Sequence, residues 1–394
     1  MSGRGDEKRH GTSQCQQALT SDLAPHTSQM RGKRRKVGSE KARRLGRLRN
    51  LMERQNLDAL LVTNPDNRRY ISGFTGEGLL LITRDDTCLV TDGRYATQAG
   101  LEAPDWRALP SKTLSSKALA EVCREQHLTR IGFEKNDVTY QQFEKFQADF
   151  SGLELRPVLG LVESLRLIKD VDEIAMIQEA GVVAGAAFYY AIGHICSGQT
   201  EREIASRIDY FLRSRGDGPP AFETIVAAGE RGAMPHGRAT PDKIRSGQMV
   251  VIDFGACCQG YMSDITRTVC IGRFDALQRQ VYGVVLEAQL SALDHVRPGV
   301  IASQVDEVAR QVITGAGFGD YFTHALGHGV GLNIHEAPRL APKQEIALEA
   351  GMVTTVEPGV YIPGWGGVRI EDTVLVTETG CEVLTPVAKD FMVL

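Results

Sequence analysis

Two aspartates raise the first chemical question in this chain. In the stretch VVIDFGACCQGYMSDITRTVCIG, Val250–Gly272, Asp253 follows three β-branched residues and Asp264 precedes a second β-branched run. The apolar arms flank the turn-prone pair Gln259-Gly260, so the stretch predicts a β-hairpin with one carboxylate on each arm. A hairpin packed on a core would bury both, and a carboxylate is rarely buried without a partner because its lost hydration costs several kcal/mol or more. The two aspartates need something to share.

Further polar residues follow in similar settings. HALGHGVGLNIHEAP sets His324, His328 and His335 among Gly327, Gly329 and Gly331, whose missing side chains let other groups approach the backbone. No Gly-Lys-Ser/Thr ending is present, which argues against a phosphate loop. VTTVEPGVYI puts Glu357 at the end of a β-branched run, and GVRIEDTVLVT puts Arg369 and Glu371 two apart, on one face of a predicted strand. A lone strand aspartate or histidine is more often a hydrogen-bonded structural residue. Four carboxylates with one or more imidazoles in one half of the chain are a different matter: such an oxygen-rich set suits divalent manganese, iron, cobalt or zinc. Two cations sharing carboxylates would compensate the crowded negative charge.

The elements that must position these residues need room. At 394 residues and 42% hydrophobic, the chain is long enough for two cores. The tail, residues 1–40, is basic around RGKRRK and lacks periodic apolar residues, so it reads as a disordered extension; the first 50 residues hold 13 Lys or Arg against 4 Asp or Glu. An α/β domain is expected over 41–160, with Leu45, Leu48, Leu51 and Met52 at helical spacing, DALLVTN as a buried strand and a hairpin turning at Asp85-Asp86. From 161 to 394 a second domain begins with a long helix, in which Ile174, Ile177, Ala180 and Val183 recur every three residues. The eight cysteines contain no CxxC pair, against a zinc ribbon or disulfide scaffold. No run reads as a membrane span and no signal peptide is evident, so a cytoplasmic location is expected. The basic tail carries no nucleic-acid motif, and no nucleic-acid partner is expected.

Asp253, Asp264 eleven positions on, His328, Glu357 and Glu371 resemble the five metal ligands of the pita-bread metallopeptidases, which include aminopeptidase P, proline dipeptidase and methionine aminopeptidase. DALLVTNPDNRRYISGFTG and LVTDGRY look like the N-terminal domain that the proline-directed members carry and methionine aminopeptidases lack. Ala325 stands where the histidine signature more often has glycine. The resemblance implies an α+β fold: a C-terminal pita-bread domain of two pseudo-twofold halves behind an N-terminal α/β creatinase-type domain. It implies two divalent metal ions per chain, Mn2+ first, with Co2+, Zn2+ or Fe2+ as alternatives, and a homodimer. By residue matching, Asp253 would chelate one metal, Asp264 and Glu371 would bridge both, and His328 and Glu357 would complete the second.

The implied activity is an exopeptidase releasing the residue before proline, with a water activated between the metals. Glu357 would take the water's proton, while His236, from ETIVAAGERGAMPHG, and His335 would hydrogen-bond the scissile carbonyl or relay a proton. On the substrate side, His324 would shape the proline pocket and Arg369 would orient the bridging carboxylates. With no second arginine evident to grip a free proline carboxylate, and with Gly364, Gly366 and Gly367 leaving room, longer Xaa-Pro-Xaa peptides are expected to be preferred; the alternative is an Xaa-Pro dipeptidase, with Arg238 supplying the charge. A non-catalytic binding module of the same fold is disfavoured by the complete ligand set.

Overall fold

The computed structural model describes residues 37–111 and 115–394. The expected basic extension lies, over residues 1–36, outside the described residues, and the first helix, α1 (Val37–Arg54), starts ahead of the boundary expected at 41. It buries Leu48 and Met52, with Leu45 and Leu51 packed beside them, as their spacing requires. A mixed sheet follows, built from β1 (Ala59–Val62), β2 (Leu79–Thr83), β3 (Thr87–Thr91), β4 (Arg107–Pro110), β5 (Arg130–Glu134) and β6 (Glu154–Val158) in spatial order β4-β3-β2-β1-β5-β6. The strands β2 and β3 make the hairpin expected at Asp85-Asp86. Between strands lie α2 (Pro65–Ser72), α3 (Ala96–Glu102), α4 (Lys117–Glu125) and α5 (Tyr140–Asp149). Asn64 caps α2 by accepting from the Asn67 amide, and Pro65 occupies a first-turn position where its missing N–H costs nothing.

A short helix, α6 (Glu163–Arg166), leads into α7 (Val171–Ile192), which Asp170 and Glu173 open with a capping box. The buried stripe of α7 is Ile177, Ala180, Ala184, Ala187, Phe188 and Ala191, whereas Ile174 and Val183 are only half-buried. A spacing of three drifts off the face of a helix with 3.6 residues per turn, so the expected stripe follows it for one turn only. By length and composition α7 could also cross a membrane, a feature the sequence reading missed; here its small residues pack in one core with α8 (Glu201–Arg215) and the strands that follow.

The remainder forms two halves, each with a helix pair and antiparallel strands. In the first, β7 (Ile225–Ala228), β8 (Met249–Phe254) and β11 (Ile265–Cys270) pair as β11-β8-β7 beside α7 and α8, with β9 (Cys257–Cys258) and β10 (Tyr261–Met262) as a small ribbon between β8 and β11. The expected hairpin is thus present but pinched into two ladders. Gly255 marks the pinch, since a side chain there would overlap the Ser263 carbonyl. Its turn does fall at Gln259-Gly260, both with positive φ (46° and 78°), the primed-turn geometry that suits a twisted hairpin.

In the second half, α9 (Ala276–His295) and α10 (Ala302–Gly315) back β12 (Gly327–Gly329), β13 (Glu336–Leu340), β14 (Val353–Val356), β17 (Asp372–Val376) and β18 (Cys381–Val383), ordered β13-β12-β14-β17-β18, with β15 (Gly359–Ile362) and β16 (Gly366–Arg369) as a separate ribbon. Arg369 and Glu371 therefore do not share one strand as expected: the chain leaves β16 after Arg369 and enters β17 at Asp372. The halves are stitched at this break, where the Glu371 amide donates to Thr266 O (3.1 Å) and the Arg369 amide to Thr268 Oγ1 (3.1 Å).

Candidate metal centre and active site

One cavity of about 620 Å³ lies where the halves meet. Asp253, Asp264, His328, Glu357, Glu371, His236, His324, His335 and Arg369 all line it, so the structure brings together the expected ligand, catalytic and substrate-side residues, whereas Gly364, Gly366 and Gly367, expected to leave room for substrate, are not among its lining residues. The fold explains why. Asp253 is the last residue but one of β8, directly opposite Thr266 in the β8–β11 register, and Asp264 immediately precedes β11. His328 sits at the centre of β12, and Glu357 follows β14 with its amide held by Leu326 O. Glycine at 327 is required because a side chain there would run into the Thr355 carbonyl of the neighbouring strand.

Electrostatics at the cavity floor are extreme for a protein interior. Asp253, Asp264 and Glu371 are all more than nine-tenths buried, at 8%, 5% and 1% exposure. Burial first, then the repulsion of neighbouring carboxylates, pushes Asp264 and Glu371 well above the ordinary carboxylate range. Glu357 is raised to about 7, again mainly by burial. Against four carboxylates stands one buried guanidinium, Arg369, whose Nη2 donates to Asp253 Oδ2 at 2.5 Å.

Three oxygens remain unpartnered and buried: Asp253 Oδ1, Asp264 Oδ1 and Glu371 Oε1. Each such atom carries a desolvation cost that a protein interior rarely leaves standing. His328 adds to the same deficit. Its Nδ1 donates to Gly329 O (3.1 Å), which leaves Nε2 as a bare lone pair, yet Nε2 faces Asp264 Oδ2 at 3.5 Å and Glu357 Oε1 at 3.4 Å. Burial holds this imidazole down to about 4, hence neutral. A lone pair directed at two carboxylates is a metal-ligand arrangement, with the ring oriented by its backbone hydrogen bond. Asp264, His328 and Glu371 offer ligand atoms within 4.8 Å of one another. The donor set therefore fits divalent cations.

Supporting residues explain the geometry, and two were not foreseen. Thr266 Oγ1 donates to Glu371 Oε2 (2.6 Å) and accepts from Arg369 Nε (3.0 Å). Tyr361 Oη accepts from Arg369 Nη1 (2.9 Å) and pairs with His324 Nε2 (2.9 Å). Arg369 Nη1 also donates to Pro235 O (3.2 Å). All three guanidinium nitrogens thus engage protein acceptors, which places Arg369 on Asp253 directly and on Glu371 only through Thr266. This is the carboxylate-orienting place expected of Arg369, with no guanidinium nitrogen left over for the substrate side. His324 is similarly occupied, with Nδ1 donating to Ala325 O (2.7 Å) and burial lowering it to about 4. What it offers the cavity is a neutral ring surface, suited to the pocket wall expected of it.

His236 and His335 are exposed at the mouth, free to meet a ligand. His335 is lowered by burial and by the nearby His236 and Arg339 charges, and its ring lies 4.4 Å from that of His328. Arg339 is a third residue that the sequence pattern does not single out. It faces His328 across the β12–β13 ladder, so both point to one side of the sheet, and it lines the cavity, exposed, with no hydrogen bond or ion pair to any described residue. Within β13, Ala337 and Arg339 are exposed while Pro338 and Leu340 are buried, an alternation that leaves Arg339 on the cavity side. Arg238, the alternative source of charge, is engaged by Glu223 at 3.0 Å.

Comparison with known proteins agrees with this geometry. Residues 175–378 match the model of metallopeptidase family M24, and residues 44–168 that of the creatinase/prolidase N-terminal domain. An Xaa-Pro dipeptidase of Pyrococcus furiosus is 39% identical, covering 89% of this chain and 99% of its own. Among solved structures, an Xaa-Pro dipeptidase from Bacillus anthracis is 40% identical with a TM-score of 0.88, covering 90% of this chain and all of its own. An X-Pro aminopeptidase from Thermotoga maritima is 36% identical with a TM-score of 0.82, covering 87% and 100%. The chain belongs to metallopeptidase family M24, in its Xaa-Pro branch, and has the expected fold: a pita-bread domain behind a creatinase-type N-terminal domain. It is a metallopeptidase.

Proposed function

We propose that this protein is an Xaa-Pro dipeptidase, cleaving the bond before a C-terminal proline. The observation that carries the reading is Arg339, a guanidinium paired with no described residue, on the cavity wall across the ladder from His328. A dipeptide presents a free carboxylate one residue beyond the scissile bond, and a planar fork of N–H donors is the group that recognises it best. Relatives named Xaa-Pro dipeptidase support the same choice. The expected preference for longer peptides rested on finding no second arginine, and Arg339 removes that ground.

Asp253, Asp264, His328, Glu357 and Glu371 would hold two divalent cations, with Mn2+ our first candidate. Bound there, the cations supply Lewis acidity that lowers the pKa of water and polarises a carbonyl. The chain's own residues do the rest. Glu357 is placed to carry a proton from water toward the proline nitrogen. His236 and His335 donate to the scissile carbonyl as charge develops on it. His324 Nε2 is already committed to Tyr361, so its ring packs against the pyrrolidine instead. We also place the protein in the cytoplasm, in keeping with seven described cysteines that are all free.

The test compares a dipeptide and a tripeptide sharing the same Xaa-Pro start, with Mn2+ added. Catalytic efficiency should be at least about tenfold higher on the dipeptide, roughly 1.4 kcal/mol of transition-state preference. Arg339→Met should raise KM for the dipeptide about 30-fold or more and leave the tripeptide within about threefold. A wild-type preference for the tripeptide would make the protein an Xaa-Pro aminopeptidase instead.

A further inference from the structure

Glu336 adjoins His335, yet its carboxylate is tied to a different part of the chain. Oε1 accepts from the Arg166 guanidinium and from the Asn333 amide (2.9 Å), and Oε2 lies 3.3 Å from Lys169 Nζ. The three side chains are buried, at 8%, 7% and 1% exposure for Glu336, Arg166 and Lys169. Arg166 Nη1 continues to Asn67 Oδ1 (2.8 Å), and Asn67 Nδ2 donates to Glu134 (2.6 Å) and Glu163 (2.8 Å). Asn333 Nδ2 reaches Asp66 at 3.1 Å. Helices α2 and α6 and strand β5 are therefore wired to the loop that carries His335.

The loop is wound tightly on this carboxylate. A side chain at Gly331 would lie 2.7 Å from Glu336 Oε2, and the His335 amide donates to Asn333 Oδ1 (3.0 Å). A buried ion cluster is weak evidence for stability, since apolar replacements of equal volume are often as stable. What this cluster adds is a fixed starting point for β13, and with it the positions of His335 and Arg339.

We propose that Glu336, clasped by Arg166 and Lys169, is a positioning residue for substrate binding. Through it the N-terminal half of the chain sets where His335 and Arg339 stand on the cavity wall. What Arg339 grips is taken from the dipeptidase reading; the clasp itself is independent of it.

Glu336→Asp keeps the charge but shortens the arm by one methylene, out of reach of both cations together. In the full chain with Mn2+ added, amide exchange over residues 331–339 should quicken about tenfold at unchanged metal content. Dipeptide KM should rise about tenfold with kcat within about threefold, and in an Arg339→Met background the same change should add less than about threefold, because the two act on one contact. A lower thermal midpoint with wild-type KM and wild-type exchange over 331–339 would overturn the proposal. If Arg339→Met leaves the dipeptide KM untouched, the dipeptidase reading fails, while the exchange comparison still decides the clasp. Should Glu336→Asp not fold, Arg166→Lys poses the same comparison from the other side, since a lysine cannot span Asn67 and Glu336 at once.

Discussion

At the scale of single residues, the cavity floor holds more negative charge than the protein itself neutralises. Removing one carboxylate should therefore have opposite effects with and without metal. Glu371→Gln preserves shape and can keep the hydrogen bond from Thr266. Metal-free, the variant should melt higher than wild type, because one of the mutually repelling buried carboxylates is gone. The stabilisation on adding Mn2+ should shrink, one metal should be lost by elemental analysis, and turnover should fall at least about a thousandfold, about 4 kcal/mol. Wild-type metal content with normal turnover would remove Glu371 from the ligand set. The four carboxylates were legible in the sequence because acidic residues in or beside β-branched runs are conspicuous, whereas choosing His328 among three histidines took the family resemblance. Tyr361, Thr266 and Arg339 were not, because a tyrosine, a threonine and an arginine on strands look ordinary until the cross-strand register is known.

At the scale of elements, two helical glycines make opposite predictions from the same substitution. Gly181 lies in α7, where a side chain would run into the Leu384 carbonyl of the C-terminal segment. Gly283 lies exposed in α9 with nothing within 4 Å of the added carbon. Helix propensity alone favours alanine at both by about 1 kcal/mol. Gly283→Ala should raise the thermal midpoint by a degree or so and Gly181→Ala should lower it by several, since backbone cannot yield as a side-chain tip can. A rise in both would mean that α7 can shift away from the C-terminal segment. Legibility follows the same line here. Local patterns locate α1, α7 and the β2–β3 hairpin, but over β16 and β17 they predict one strand. Nothing in VRIEDTV announces a break that is fixed by Thr266 and Thr268 on a distant strand.

At the scale of the whole molecule, the N-terminal and catalytic parts share one core: Leu48, Leu60 and Phe74 pack in the same cluster as Ile177, Tyr261, Val330 and Val353. A buried polar network crosses the same boundary. Arg44 of α1 donates to Asp170 (2.6 Å) and lies 3.2 Å from Glu173, which accepts from Tyr261 of the metal-site hairpin at 2.9 Å. Burial raises the Glu173 carboxyl to about 7 from an ordinary 4.5. Between those values the unfolded chain ionises first, so the native state holds the extra proton and stability falls as pH rises; above about 7 both states are ionised and the slope ends. Glu173→Gln removes this dependence, while Arg44 keeps Asp170. The thermal midpoint of the variant minus that of wild type should therefore climb from about pH 5 to 7 and then level off. Parallel curves would show that Glu173 titrates normally. Such coupling between distant segments is what a single sequence conceals, since Arg44 and Tyr261 carry no mark of each other.

The loop wound on Glu336 also bears on how this sequence can drift. Oε2 of that residue fills the space where any side chain at position 331 would begin, and with Arg166 and Lys169 holding it the carboxylate has nowhere to retreat. A lineage that keeps glutamate at 336 must keep glycine at 331, whereas one that first shortens 336 frees 331 to vary. The two positions are inherited as a pair with an order of change built in, and the permitted order runs through the acid.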